Sequence, residues 1–192
     1  MVAELNQVER EILLDLARQA LETGVAGDPL PQIDLSELPA PLQETGASFV
    51  TLTINGELRG CIGTLSAQQP LAEDVREHAV AAALNDYRFT PVAESELADI
   101  NIEISRLTSP QPVKYGSPKE ILAAIRPHID GVIIRSGSRR ATFLPQVWEK
   151  IPDPEQFLGS LCLKMGVDFN YWRVNDLEVL VYQVEEFHES MG

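Results

Sequence analysis

The chain places an arginine and a cysteine two residues apart, at Arg59 and Cys61, inside the glycine-rich segment 59–64. A cysteine thiolate is a strong nucleophile, and a nearby cation stabilises the thiolate relative to the thiol. A guanidinium binds carboxylates and phosphates through paired hydrogen bonds. The two side chains together therefore indicate either a site for thiol chemistry or a site that binds an anion.

The turn before this segment sets the direction in which its side chains point. Asn55 and Gly56 both tolerate a positive φ and predict a two-residue type I′ hairpin turn. The predicted register pairs Ile54 with Glu57, Leu52 with Arg59, and Val50 with Cys61. Directly paired residues share a face of the ribbon. We therefore expect Arg59 and Cys61 to lie together on a face that is otherwise apolar.

Two interpretations of Cys61 stay open at this point. As a nucleophile it requires a general base, and the internal histidines His78 and His128 have no evident position near it. As a packed residue it acts as a small hydrophobe, which is the commoner role of a free cysteine. The other cysteine, Cys162, lies in a helical apolar pattern and is predicted to be a core residue.

Arg59 on an apolar face requires a partner, because an unpaired buried charge is costly. Asp86 and Glu103 are the candidate partners for a structural ion pair; the alternative is that Arg59 binds an external anion. Asp86 and Arg88 lie in the loop that ends a helix, where they either contribute to a ligand site or form a local salt bridge. Gly60 indicates a bulge, a bend, or the close approach of another chain or a ligand.

Hydrophobic periodicity and turn residues predict the elements that position these side chains. Asn6 and Glu9 indicate a capping box for the first helix, which Gly24 ends, and residues 25–46 form a long proline-rich loop. The remaining predicted elements are a hairpin over 48–62, a helix from Pro70, a strand over 99–107, a capped helix from Ser117, a hairpin around Gly137, a helix from Asp153 to Gly166, and one long strand over 177–187.

This order of elements predicts an α+β fold with two subdomains, each an antiparallel-rich sheet with helices packed on it. The chain of 192 residues, 44% of them hydrophobic, is long enough to bury a sizeable core. We expect a single domain over residues 1–192, with a subdomain boundary in the proline- and serine-rich stretch 108–118.

Composition excludes several classes of protein. A net charge of −14 and a pI near 4.5 oppose non-specific attraction to nucleic acid. No segment has the pattern of a signal peptide or a membrane span, and two cysteines without disulfide or metal-ligand spacing are typical of a reducing cytoplasm. The sequence contains no phosphate loop and no dinucleotide fingerprint, so it indicates no particular cofactor. The oligomeric state also stays open. We expect a cytoplasmic protein that binds neither nucleic acid nor a membrane.

Segments in both halves of the chain occur in the order found in one known family. They are Gly46–Leu52, Leu58–Thr64 with its LRGCIG motif, Asp86–Pro91, Ile102–Ser105, Asp130-Gly131, Thr142–Trp148 and Phe157-Leu158. They resemble the AMMECR domain family, whose prokaryotic members include the AmmeMemoRadiSam system protein A group. The chain departs from the family at Asp130-Gly131, where many members have His-Gly, so a role for that histidine does not carry over.

The resemblance implies a two-subdomain α+β fold and an intracellular protein. It also implies association, through gene grouping, with a Memo-like protein and a radical SAM enzyme. It implies no established reaction.

We therefore expect an accessory or binding protein that presents a cleft around the LRGCIG motif to a small molecule or a peptide segment. The expected ligand-binding residues are Arg59, Gly60, Asp86, Arg88 and Glu103. The alternative is an enzyme that uses Cys61 as its catalytic nucleophile or as a thiolate ligand, in a site that a partner protein completes.

Overall fold

Two sheets, each with helices packed against it, organise the chain. The computed structural model describes residues 4–189. The first unit contains the residues up to Leu107 and those from Glu185 onward, and the second unit runs from Thr108 to Val184. Each unit has its own buried core between sheet and helices, so the predicted α+β fold is confirmed.

The described residues form six α-helices and nine β-strands. The helices are α1 (Gln7–Val25), α2 (Ala40–Gln43), α3 (Leu71–Leu84), α4 (Pro118–Ala124), α5 (Pro154–Met165) and α6 (Tyr171–Val174). The strands are β1 (Thr45–Ile54), β2 (Glu57–Gly63), β3 (Gln69–Pro70), β4 (Ile100–Leu107), β5 (Gln111–Pro112), β6 (Gly131–Ser136), β7 (Arg139–Phe143), β8 (Glu178–Tyr182) and β9 (Val184–His188).

The sheet of the first unit has the strand order β2-β1-β4-β9, and β3 pairs with the start of β1. Helices α1 and α3 share one buried core with this sheet. The predicted capping box of α1 is confirmed, because Asn6 and Glu9 each accept a hydrogen bond from the other's backbone N–H. Helix α3 buries a stripe rich in alanine, and these short side chains allow it to approach the strands closely.

A β-bulge in the hairpin changes the predicted register. Ile54 pairs with Glu57 as expected, but the register shifts between Leu52 and Thr53, and one extra residue, Arg59, enters β2. Beyond the bulge Cys61 pairs with Thr51 instead of Val50. The predicted pairings of Leu52 with Arg59 and of Val50 with Cys61 are therefore wrong, and Cys61 does not share the apolar face of Val50 and Leu52.

The bulge places Cys61 on the side of the sheet that faces away from α3. Val50 and Leu52 are fully buried in the core beneath the helices, whereas Thr51 and Cys61 are half-buried on the opposite face. The physical reason lies at Gly60, where a Cβ would lie only 2.1 Å from the carbonyl oxygen of Ala82 in α3. This close approach of helix and strand fixes Gly60 towards the helix and the next residue away from it.

The sheet of the second unit has the strand order β5-β8-β6-β7. Its core contains Trp148 stacked on Phe157, with ring centroids 3.6 Å apart. Cys162 is completely buried in this core, as predicted, and burial raises the pKa of its thiol. Trp148 donates a hydrogen bond from Nε1 to the backbone oxygen of Asp130.

Four predicted elements differ in their limits or contacts. The loop predicted over 25–46 contains helix α2 and the first residues of β1. The long strand over 177–187 is two strands, β8 and β9, which lie in different sheets. Helix α1 continues through Gly24 to Val25, and the first residue with a positive φ after it is Gly27. Helix α4 begins where predicted, but the Ser117 side chain does not cap its backbone.

None of the helices formed by residues 4–189 is long and apolar enough to cross a membrane.

The contact at Gly60 predicts a large stability change for a small substitution. Gly60→Ala should lower the free energy of unfolding by about 3 kcal/mol, because the new methyl group overlaps the Ala82 carbonyl and must displace α3. Urea denaturation of both proteins measures the difference. Gly116→Ala is the matched control, since the nearest atom to its Cβ would be a Glu120 carboxylate oxygen at 3.7 Å. Equal stabilities of the two variants would contradict the proposed cause of the bulge.

Candidate functional site

The Cys61 thiol lies in a polar row that crosses the outer face of the first sheet. Thr51 pairs with Cys61 on one side and with Glu103 of β4 on the other. The Thr51 hydroxyl donates a hydrogen bond to the Cys61 Sγ, with an Oγ1–Sγ distance of 3.2 Å. Thr51 is not among the predicted site residues, because only the bulge brings it opposite the cysteine.

The backbone of Cys61 is held by two side chains from the loop that follows α3. Asp86 Oδ2 accepts a hydrogen bond from the Cys61 N–H at 2.9 Å, and Arg88 Nη2 donates one to the Cys61 carbonyl oxygen at 3.2 Å. Strand β2 is at the edge of its sheet, so these two groups would otherwise lack a strand partner. The side chains therefore take the place of a neighbouring strand at this one residue.

Asp86 and Arg88 also bind each other. Arg88 Nε lies 2.9 Å from Asp86 Oδ1, and Arg88 Nη2 lies 2.6 Å from Asp86 Oδ2. The expected local salt bridge is thus present, and it closes a ring of hydrogen bonds around the Cys61 peptide groups. Only 4% of Asp86 is exposed, whereas the Arg88 side chain is 44% exposed.

This ring determines the protonation of both side chains. The hydrogen bonds from Arg88 hold the pKa of the Asp86 carboxyl far below its usual range, against the opposing effect of burial, and the N–H of Cys61 lowers it further. The pKa of Arg88 is raised, chiefly by its hydrogen bonds to Asp86 and to a smaller extent by charge interactions with Asp86, Cys61 and Tyr87. Both side chains are therefore charged across the physiological pH range.

Arg59 has a different partner from those expected. Its guanidinium binds Glu96 through two hydrogen bonds, Nε–Oε1 at 2.7 Å and Nη2–Oε2 at 3.1 Å. Glu96 lies in the 3-10 turn Glu94–Glu96, close before β4. The expected pairing of Arg59 with Asp86 or Glu103 is wrong, because Asp86 is taken by Arg88. The cation beside Cys61 is consequently Arg88.

Glu103 lies two strands away from Cys61, across Thr51. Desolvation by burial raises the pKa of its carboxyl, the nearby charge of Glu186 raises it further, and His188 opposes the shift. Two strand spacings amount to about 10 Å, too far for direct proton transfer to the thiol. Glu103 therefore lies in the same row as Thr51 but does not contact Cys61.

The candidate residues therefore form one close group and several outlying positions. Cys61, Asp86 and Arg88 contact one another, and Thr51 joins them. Gly60 is buried against α3, Glu103 lies further along the row, and Arg59 is held by Glu96.

The group offers a thiol, a hydroxyl and a guanidinium at a partly exposed sheet edge. Within residues 4–189 no histidine contacts the thiol; His78 binds the buried carboxylate of Asp74 at 3.2 Å. In the same part of the chain, no three His, Cys, Asp or Glu side chains lie together in a way that could hold a metal ion. The arrangement can bind a polar group next to the thiol, and it can present the thiol to an electrophile.

Comparisons with known proteins agree with this fold. A family model described as AMMECR1 matches residues 14–187. A protein from Methanothermobacter thermautotrophicus is 36% identical over 193 residues, which cover 98% of each chain. Protein MK0488 from Methanopyrus kandleri is 36% identical over 202 residues, covering 99% of this chain and 93% of its own. The crystal structure of an uncharacterized protein, PH0010, from Pyrococcus horikoshii matches with a TM-score of 0.79 at 32% identity, over 96% of this chain and 93% of that one.

The depressed pKa of Asp86 predicts a pH-dependent loss of stability in Asp86→Asn. A folded-state pKa below the unfolded value of about 3.9 stabilises the protein fully above about pH 4, and this contribution is lost as the pH falls further. The substitution should therefore cost about 2 kcal/mol at pH 7 and progressively less below pH 4. Urea denaturation at a series of pH values measures both effects. Asp15→Asn, at an exposed position of α1, should change stability little; a pH-independent cost for Asp86→Asn would contradict the assignment.

Proposed function

The chain belongs to the AMMECR1 family, and on that premise we propose that it is an accessory binding protein whose ligand or partner segment docks at the outer face of the first sheet, around Cys61. The observation that carries this proposal is the ring formed by Asp86, Arg88 and the Cys61 peptide groups. It fixes the backbone at the edge of β2 while leaving the thiol and the guanidinium partly exposed. A rigid backbone with accessible polar groups suits recognition, because little ordering cost falls on the protein when it binds.

The occupant that the row favours is a small polar molecule or a short peptide segment. The row offers hydrogen-bonding groups at Thr51 and Glu103, with Arg88 at one end. A ligand lying across it would cover about two strand spacings, roughly 10 Å. No complete catalytic set accompanies these groups within the described residues, which favours binding over independent catalysis.

The family resemblance supports two specific partners, a Memo-like protein and a radical SAM enzyme. In this proposal the protein supplies the Cys61 face to a complex with one or both of them. Both cysteines are free thiols, which is consistent with a reducing cytoplasm as the place of action.

Binding between purified proteins tests the proposal. Isothermal titration of this protein with the Memo-like protein and with the radical SAM enzyme of the same genome should detect a complex. Glu103→Ala should weaken that complex at least tenfold, because the residue lies within the proposed contact face. Glu11→Ala, an exposed glutamate of α1, should leave it unchanged. Absence of binding to both partners under reducing and oxidising conditions would reject the partnership, and equal effects of the two substitutions would reject the face.

A second candidate function is an enzyme that uses Cys61 as a nucleophile. The hydrogen bond from Thr51 to Sγ and the proximity of Arg88 favour it, because both groups stabilise developing negative charge on sulfur. A partner protein would then provide the general base that the described residues do not place near the thiol.

Alkylation with iodoacetamide tests the second candidate. In the native protein Cys61 should react at least tenfold faster than the buried Cys162. Mass spectrometry measures the extent of alkylation at each cysteine over time. Thr51→Val should slow the reaction of Cys61 several-fold by removing the hydrogen bond to sulfur. Thr53→Val, on the same strand and the same face, serves as the control. An inert Cys61 in the native protein would eliminate this function.

A further inference from the structure

Arg88 is only partly used by the contacts that hold it. Its Nε and Nη2 groups bind Asp86, and Nη2 also reaches the Cys61 carbonyl. Among residues 4–189, none accepts a hydrogen bond from Nη1. The Arg88 side chain is 44% exposed, and its guanidinium carbon lies 5.5 Å from the centre of the Phe89 ring.

Asp86 and Arg88 differ in what they offer to a ligand. The Asp86 carboxylate accepts hydrogen bonds from two backbone N–H groups and from the guanidinium, and it is almost completely buried. Arg88 is fixed by the same contacts but keeps free donors on its outer end. The ion pair is therefore an oriented dipole whose positive end is the accessible one.

This positive end lies near the thiol. The Arg88 Nη2 is 3.2 Å from the Cys61 carbonyl oxygen, and bond lengths place Sγ no more than about 8 Å from that nitrogen. A carboxylate one or two bonds from an atom at Sγ therefore lies within about 11 Å of the guanidinium, where its negative charge is attracted. The fixed planar guanidinium suits a carboxylate, which accepts paired N–H donors.

We propose that Arg88 is a specificity-determining residue that makes the Cys61 site selective for ligands carrying a carboxylate close to the atom that faces the thiol. This inference rests on the proposed function at the Cys61 face and adds the chemical class of its ligand. The protein has a net charge of −14, so an anion that approaches an ordinary thiol on its surface is repelled. A preference of Cys61 for an anionic reagent would therefore indicate a local positive charge.

Two alkylating reagents of nearly equal size test the proposal. Iodoacetate carries a carboxylate and iodoacetamide is neutral, so the ratio of their rates at Cys61 reports preference for an anion and cancels differences in accessibility. The ratio in native protein should exceed that of glutathione about two- to fivefold and should fall towards it in 1 M NaCl. Cys162→Ala provides a background in which Cys61 is the single thiol.

Arg88→Gln should reduce the rate ratio below that of glutathione. Because this substitution leaves the buried Asp86 without its partner, the double variant Asp86→Asn/Arg88→Gln keeps a neutral hydrogen-bonded pair if the single variant unfolds. Arg135→Gln is the matched control, since Arg135 is also a partly exposed arginine paired with a carboxylate, that of Glu178. Its rate ratio should equal that of the unsubstituted protein.

The outcomes separate the two levels of inference. A Cys61 that reacts with both reagents at a glutathione-like ratio would overturn the anion selectivity and leave the binding face intact. A ratio that stays high in the Arg88 variants would overturn the role of Arg88. A thiol inert to both reagents would overturn both the selectivity and the thiol-based function. The proposed binding face would still be tested independently by the titration with the partner proteins.

Discussion

The ion pair between Asp86 and Arg88 is the constraint on which the candidate site depends. It joins the loop after α3 to the edge of β2 and supplies the missing partners of the Cys61 peptide groups. A buried carboxylate is stable in this position only because four donor atoms surround it. The same contacts close the sheet edge at Cys61 to pairing with another strand, so recognition at this residue must proceed through side chains.

The bulge at Arg59 decides which side chains share a face with the thiol. Without it, Cys61 would point into the alanine-lined core beneath α3 and would be inert. With it, the cysteine meets the hydroxyl of Thr51 and joins a polar row that extends to Glu103. One inserted residue thus converts a core position into a surface position, and the close approach of Gly60 to α3 maintains the change.

Local patterns in the sequence predict most of the elements but not this bulge. The capping box of α1, the turn at Asn55-Gly56 and the end of α5 at Gly166 depend on neighbouring residues, and each is present. The register beyond Leu52 depends on a tertiary contact between Gly60 of β2 and Ala82 of α3, which the pattern of residues within the hairpin does not contain. The partner of Arg59 depends likewise on where the loop before β4 passes. The strand over 177–187 is continuous in its hydrophobic pattern, and only the pairing of its halves with different sheets divides it.

The position of β9 has a consequence for biosynthesis. This strand completes the first sheet beside β4, yet it follows the entire second unit in the sequence. Glu185 of β9 pairs with Arg10 of helix α1, and Glu189, just after the strand, pairs with Arg18. During translation α1 and β4 are synthesised before the inserted second unit, which contributes about eighty residues. The β4 edge of the sheet can pair with β9 only after those residues have been synthesised. The emerging polypeptide therefore carries an open sheet border and two arginines without their final counter-ions until β9 and the residue after it have been synthesised.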